Sequence, residues 1–157
     1  MLCPRKCGAD RLNEQYGICH MKAEPVVARA ALHFYEEPCI SGEQGSGAVF
    51  FSGCNLRCVF CQNYEISRGK AGLVIDTGRL AEIFLELQDK KANNINLVTG
   101  VMFIPTIVEA LKQAKAQGLH IPVIYNSSGY ESVEALRLLK GWVDVYLPDF
   151  KCMSQEL

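Results

Sequence analysis

The sequence predicts an α/β domain built on a parallel sheet. Short apolar segments alternate with helical patterns from residue 48 onward, and polar residues follow each apolar segment. The 157 residues suffice for one domain with a sizeable core, and the hydrophobic share of 49% is that of an ordinary globular protein. Strands that alternate with helices in this way form right-handed βαβ units, and such folds bind ligands at the carboxyl ends of their strands.

Each element of this prediction has its own signal. The predicted strands are the apolar runs 48–52, 95–99, 122–126 and 143–150. Helical patterns separate them at 77–93, 105–118 and 131–141. Thr77 is expected to cap the first helix, and Pro105 suits the first turn of the second. Gly118 and Gly141 suit the ends of the second and third helices.

The first 47 residues differ from the rest. They are rich in Cys, Gly and Pro and show little sustained periodicity. We therefore expect an irregular cysteine-rich arm over residues 1–47 and the regular α/β domain over 48–157.

Composition narrows the classes of function. The formal net charge of −1 gives no electrostatic reason to expect a nucleic acid or an anionic membrane as a partner. The first ten residues lack the apolar core of a signal peptide, and no apolar run reaches membrane-spanning length. We therefore expect a cytoplasmic protein. Eight cysteines in a reducing compartment indicate metal or redox chemistry before disulfides.

Three of these cysteines follow the first predicted strand. Cys54, Cys58 and Cys61 are spaced C-x3-C-x2-C in the segment GCNLRCVFCQN. Three thiolates can hold three irons of a [4Fe–4S] cluster and leave the fourth iron open for a ligand. Two other interpretations stay open: a zinc knuckle that takes a fourth ligand from elsewhere, and reduced core cysteines without metal.

The segment CNLRCVFC resembles the cluster loop of the radical S-adenosylmethionine (SAM) superfamily. The later segments NINLVTG, IPVIYNSSGYES and VDVYLPDFK are similar to the branch of glycyl-radical-enzyme activases that includes pyruvate formate-lyase activating enzyme, and so is CPRKCGADR near the start. The resemblance implies a partial (β/α) barrel. About four of its usual six or so βα units are present, so we expect the barrel to be truncated at the C-terminus.

The resemblance also implies roles for individual residues. Cys54, Cys58 and Cys61 would hold the cluster, and its open iron would bind SAM. One electron would then cleave SAM to methionine and a 5′-deoxyadenosyl radical that abstracts hydrogen from the substrate. The implied SAM contacts are Phe60 near the adenine, Asn126 and Ser128 after the third strand, and Thr99 and Gly100 where relatives usually carry an acidic stretch. Asp149 and Lys151 match a pair of charges that faces the active site in relatives.

A second cysteine group lies in the arm. Cys3, Cys7 and Cys19 stand among proline and glycine residues, which favours an irregular knuckle over a helix. Zinc and a second iron–sulfur cluster both stay open for this group, as do loose thiols without metal. His20, Cys39 or a cysteine upstream could supply a fourth ligand.

The leading functional hypothesis is a radical SAM enzyme that activates a partner or substrate by hydrogen abstraction, and installation of a glycyl radical in a partner enzyme is one form that this reaction could take. The resemblance implies SAM, a protein substrate and an electron donor such as a flavodoxin or ferredoxin as partners. Two alternatives remain: radical chemistry on an unrelated small or peptide substrate, and a non-catalytic iron–sulfur or zinc-binding module. Whether SAM is cleaved separates the enzymes from the binding module.

Overall fold

A six-stranded mixed sheet forms the centre of the molecule. The computed structural model describes residues 1–151. Four strands run parallel: β2 (Ser46–Phe51), β4 (Ile95–Val98), β5 (Val123–Ser127) and β6 (Val145–Pro148). Two further strands, β1 (Val26–His33) and β3 (Leu73–Val74), run antiparallel to their neighbours. The order across the sheet is β3-β1-β2-β4-β5-β6. This arrangement confirms the predicted parallel sheet.

Helices connect the parallel strands. The longer ones are α3 (Thr77–Asp89), α4 (Ile104–Ala116) and α5 (Val133–Leu139), and single turns form α1 (Pro38–Ser41) and α2 (Tyr64–Ser67). Short 3₁₀ turns cover Arg11–Asn13 and Val101–Phe103. No helix of the described residues is long and apolar enough to cross a membrane.

The register of the sheet separates its two faces. Val49, Leu97 and Tyr125 pair across β2, β4 and β5, and all three belong to the buried core with residues of α3 and α4 such as Phe84 and Leu111. Because side chains alternate along a strand, their neighbours in sequence face the other way. The core is therefore on the helix-covered outer face, and the inner face is free to line a cavity.

The start of α3 differs by one residue from its prediction. Thr77 was expected to be the N-cap, but Asp76 occupies that position and its carboxylate accepts a hydrogen bond from the Arg79 backbone N–H at 2.7 Å. An aspartate caps a helix at least as well as a threonine, because its side-chain oxygen reaches the same free N–H groups. Thr77 is thus the first helical residue.

The expectation of irregular structure up to residue 47 is also wrong. The irregular part ends near Pro25, since Val26–His33 forms the eight-residue strand β1. This strand pairs with β2 from Val27↔Phe51 to His33↔Ser46. An antiparallel partner satisfies the hydrogen-bonding groups on that side of β2, which would otherwise form an open sheet edge.

Candidate functional site

The cysteine segment, here called the cluster loop (residues 53–63), begins with a glycine at which any side chain would collide with the arm. Gly53 has a φ of +83°, and a Cβ there would lie 2.4 Å from Met21 Cγ and 2.9 Å from the Cys19 carbonyl oxygen. Its N–H donates to the Ile66 carbonyl at 2.8 Å. The chain can therefore turn sharply out of β2 and lie directly against the arm.

The arm and the segment after β5 hold the cluster loop from two sides. The Arg5 guanidinium donates to the backbone carbonyls of Asn55 at 2.8 Å and Leu56 at 3.2 Å. The Asn55 side-chain amide donates to the Tyr130 carbonyl at 2.7 Å, and Arg5 also stacks over the Tyr130 ring. Hydrogen bonds from a cation to carbonyls are stronger than neutral ones, so these contacts fix the path of the loop.

A cavity of about 660 Å³ opens beside this loop at the carboxyl ends of the parallel strands. Cys54, Cys58 and Cys61 all line it, as free and partly buried thiols. The other predicted site residues on its wall are Phe60, Thr99, Asn126, Ser128, Asp149 and Lys151. Residues from the ends of four parallel strands therefore meet around one space, as the sequence pattern predicted.

The strand ends are joined by backbone contacts. Thr99 donates its N–H to the Asn126 carbonyl at 2.9 Å and has a φ of +58°. Such a conformation is strained for a β-branched residue, at about 1–3 kcal/mol, and strained backbone clusters at functional sites. Phe50, Val98 and Asn126 form one row of the inner face and all three line the cavity.

Gly100 has a different environment from the other predicted SAM contacts. It is buried and does not belong to the cavity wall. A Cβ at this position would lie 2.6 Å from Ile107 Cδ1 and 3.2 Å from Phe51 Cδ2. Close packing of the β4–α4 connection thus accounts for this glycine, and its role in SAM binding stays a prediction.

Sequence reasoning missed the wall contributed by β1. Arg29 and His33 of β1 line the cavity, together with Tyr35 and Glu36 just after the strand. The available signal was the segment VVARAALH, in which Arg29, Ala31 and His33 share one strand face. A bulge between Val27 and Arg29 turns Val27 towards the core instead. The segment follows directly after the cysteine-rich residues, so it was assigned to the irregular arm.

Lys151 and Asp149 form an ion pair at the cavity, with 2.5 Å between Nζ and Oδ2. The hydrogen bond to Asp149 raises the pKa of Lys151, and the nearby Cys58 and Cys61 raise it further. The ammonium group is thus placed to offset negative charge on the loop thiolates.

Partial burial raises the pKa of the Glu36 carboxyl. Neighbouring charges act in both directions: His33 lowers the pKa, and Glu37 and Asp149 raise it. The cavity wall therefore favours the neutral form of this side chain.

This shift makes a prediction about stability. Because folding raises the pKa of Glu36, this side chain contributes its full share of stability below the ordinary pKa of a glutamate. That contribution is lost as the pH rises through the pKa of the folded state. We expect Glu36→Gln to stabilise the protein at about pH 8 and to leave it nearly unchanged at about pH 4 in urea unfolding. Glu86→Gln is the control of opposite sign, because Arg79 lowers the pKa of Glu86. An equal effect of Glu36→Gln at both pH values would contradict this account.

The residues of the cavity suit an iron–sulfur cluster together with an organic ligand. Within residues 1–151, no three His, Cys, Asp or Glu side chains are arranged to hold one metal ion. The loop thiols therefore do not converge as a zinc knuckle requires, whereas a cluster takes one thiolate per iron. On the inner face, Asn96 is fully buried behind the cavity wall, and hydrogen bonding from its side chain lowers the pKa of the Glu36 carboxyl, against the larger effect of burial.

Comparison with known proteins agrees with this chemistry. The sequence profile of the radical SAM superfamily matches residues 48–157. An uncharacterized protein of Methanocaldococcus jannaschii is 36% identical, over 98% of this chain and 46% of its own length. The pyruvate formate-lyase-activating enzyme of Clostridium pasteurianum is 28% identical, over 69% of this chain and 46% of its own length. The chain thus spans about half the length of the curated relatives it matches. No solved structure gave a significant match.

Proposed function

This chain belongs to the radical SAM superfamily, and from that premise we propose that it is an iron–sulfur enzyme that cleaves SAM reductively for hydrogen abstraction. The observation that carries the proposal is the shared cavity. Three thiols of one loop and polar groups of the neighbouring strand ends line a single space of about 660 Å³. That volume lies in the range of pockets that enclose small organic ligands.

The proposed roles follow from position in the cavity. Cys54, Cys58 and Cys61 would hold a [4Fe–4S] cluster through their three thiolates. When bound, this cluster would supply the electron for reductive cleavage of SAM to methionine and a 5′-deoxyadenosyl radical. The chain itself positions the reactants through the cluster loop and excludes water through the apolar row of Phe50 and Val98.

The proposed SAM contacts come from the loop and from two strand ends. The exposed Phe60 lies near the adenine of SAM. The Thr99 side chain and the backbone at Gly100 contact the amino-acid part of SAM. Asn126 and Ser128 contact SAM or the substrate from the end of β5. Their presence on the cavity wall supports Phe60, Thr99, Asn126 and Ser128 in these roles.

We propose a protein substrate, in which hydrogen abstraction installs a glycyl radical. The similarity to the pyruvate formate-lyase-activating enzyme supports this choice. An electron donor of the flavodoxin or ferredoxin class would reduce the cluster. In this proposal the arm cysteines take no part in the radical chemistry.

Product analysis tests the proposal. The protein is reconstituted with iron and sulfide under anaerobic conditions and then incubated with dithionite and SAM. We expect 5′-deoxyadenosine and methionine in equal amounts, formed slowly even without the protein substrate. If the cluster-loaded protein bound SAM but formed neither product, the proposal of an enzyme would be wrong, and a non-catalytic iron–sulfur module would be favoured.

A further inference from the structure

The thiols of Cys7 and Cys19 in the arm both lie next to Gly17. A Cβ placed on Gly17 would be 3.3 Å from Cys19 Sγ and 3.5 Å from Cys7 Sγ. The two sulfurs can therefore be no farther apart than these two distances together. Gly17 is buried and its φ is not positive, so the absence of a side chain here leaves room for the sulfurs rather than relieving backbone strain.

The two thiols have unequal surroundings. Cys7 is exposed, and hydrogen bonding from the backbone of Ala9 and Ile18 lowers the pKa of its thiol. Cys19 is only 6% exposed, and burial raises its pKa. The Arg11 cation lies near both. An accessible thiolate beside a buried thiol is the arrangement of an attacking and a resolving cysteine.

A third arm thiol does not complete a metal site. Cys3 lines the same small cavity as Cys7 and Cys19, but the volume of that cavity is only about 10 Å³. This is about the space of one water molecule. A larger cavity of about 400 Å³ is lined by Cys3 and Cys7 but not by Cys19. Within residues 1–151 no three potential ligands are arranged around one ion, so the second metal predicted for this group gains no support from the structure.

We propose that Cys7 and Cys19 form a redox-active thiol pair that closes to a disulfide when it meets a low-molecular-weight disulfide. The Cys7 thiolate attacks one sulfur of the small disulfide and displaces its first thiol, which takes up a proton. The Cys19 sulfur then attacks the Cys7 sulfur, loses its own proton and releases the second thiol. The pair loses two electrons and two protons, and the small disulfide becomes two thiols.

Closure of this disulfide would reach the cluster loop through direct contacts. The Cys19 carbonyl lies 2.9 Å from the position of a Gly53 Cβ, so the two backbones touch. Arg57 of the loop donates to the Ile18 carbonyl at 3.3 Å. A change of backbone path at residues 18–19 therefore alters the support of the loop next to Cys54 and Cys58. The thiol pair itself does not depend on the proposed radical chemistry.

Peptide mapping by mass spectrometry tests the pair. The full chain is incubated anaerobically with glutathione disulfide, alkylated and digested. We expect one peptide that links Cys7 to Cys19. Cys19→Ser should accumulate glutathione on Cys7, and Cys7→Ser should leave Cys19 unmodified at least about 10-fold longer. Cys3→Ser and Cys39→Ser are controls that keep the link, since neither thiol takes part.

Gly17→Ala provides a second variant that leaves both thiols in place. Its added methyl group contacts both sulfurs, and we expect it to slow closure of the link about 10-fold while glutathione still adds to Cys7. Gly78→Ala, at a helical glycine where a Cβ would make only an ordinary contact with Asp76 Oδ1 at 3.4 Å, should not slow it. A link between Cys7 and Cys3, glutathione on Cys19 before Cys7, or stoichiometric zinc that protects all three arm thiols would each overturn the proposal.

Discussion

The Cys58→Ala variant, reconstituted anaerobically with iron and sulfide, is expected to hold no stable four-iron cluster. The loop supplies only three thiolates, so each replacement removes one of three protein bonds to the cluster. Cys58 lines the cavity between its two partners in the loop and beside Lys151. Iron and sulfide analysis together with the visible absorption of the cluster would measure the loss.

The matched control for this variant is Cys39→Ala. Cys39 is an exposed free thiol on α1 and does not line the cavity, so its removal should leave cluster content unchanged. The same loss is expected for Cys54→Ala and Cys61→Ala. A Cys58→Ala protein that kept four irons per chain would show that the ligand assignment is wrong.

Gly53→Ala should be the most destabilising single methyl addition near the site. The new Cβ would meet Met21 Cγ at 2.4 Å and the Cys19 carbonyl oxygen at 2.9 Å, in a left-handed conformation with φ of +83°. The left-handed conformation costs about 1–2 kcal/mol and overpacking another 1–3 kcal/mol. We expect a loss of about 3 kcal/mol in the free energy of unfolding, measured in urea, and lower cluster content because the loop shifts away from the arm.

Gly8→Ala separates these two contributions. Gly8 has a similar φ of +67°, but a Cβ there would have nothing within 4 Å. This variant should therefore lose only about 1–2 kcal/mol, which is the cost of the backbone conformation alone. Equal losses for the two variants would show that contact between the arm and the cluster loop contributes nothing.

The parallel sheet and most of the cavity could be predicted from the sequence for a physical reason. Buried parallel strands form continuous apolar runs, and the residues that follow them lie at one edge of the sheet. Thr99, Asn126 and Ser128 therefore reach the cavity that the three cysteines line. The three cysteines lie within eight residues, so the sequence alone placed their thiols on one loop.

The rest depended on contacts between distant parts of the chain. The strand β1 shows only a weak alternation, and its pairing with β2 fixed it as part of the sheet, which brought Arg29 and Glu36 to the cavity. The hydrogen bonds of Arg5 join residues about fifty positions apart and leave no pattern in the sequence. Gly100 also follows a strand end, so the sequence placed it at the site. In the structure its lack of a side chain allows close packing against Ile107.

The central claim is that cluster and SAM share the cavity at the carboxyl ends of the strands. Electron paramagnetic resonance of the dithionite-reduced, cluster-loaded protein tests it most directly, because SAM bound to the open iron changes the electronic environment of the cluster. The account predicts that the spectrum with saturating SAM differs from that of a parallel sample without SAM. A full cluster whose spectrum is the same with saturating SAM as without it would contradict the account.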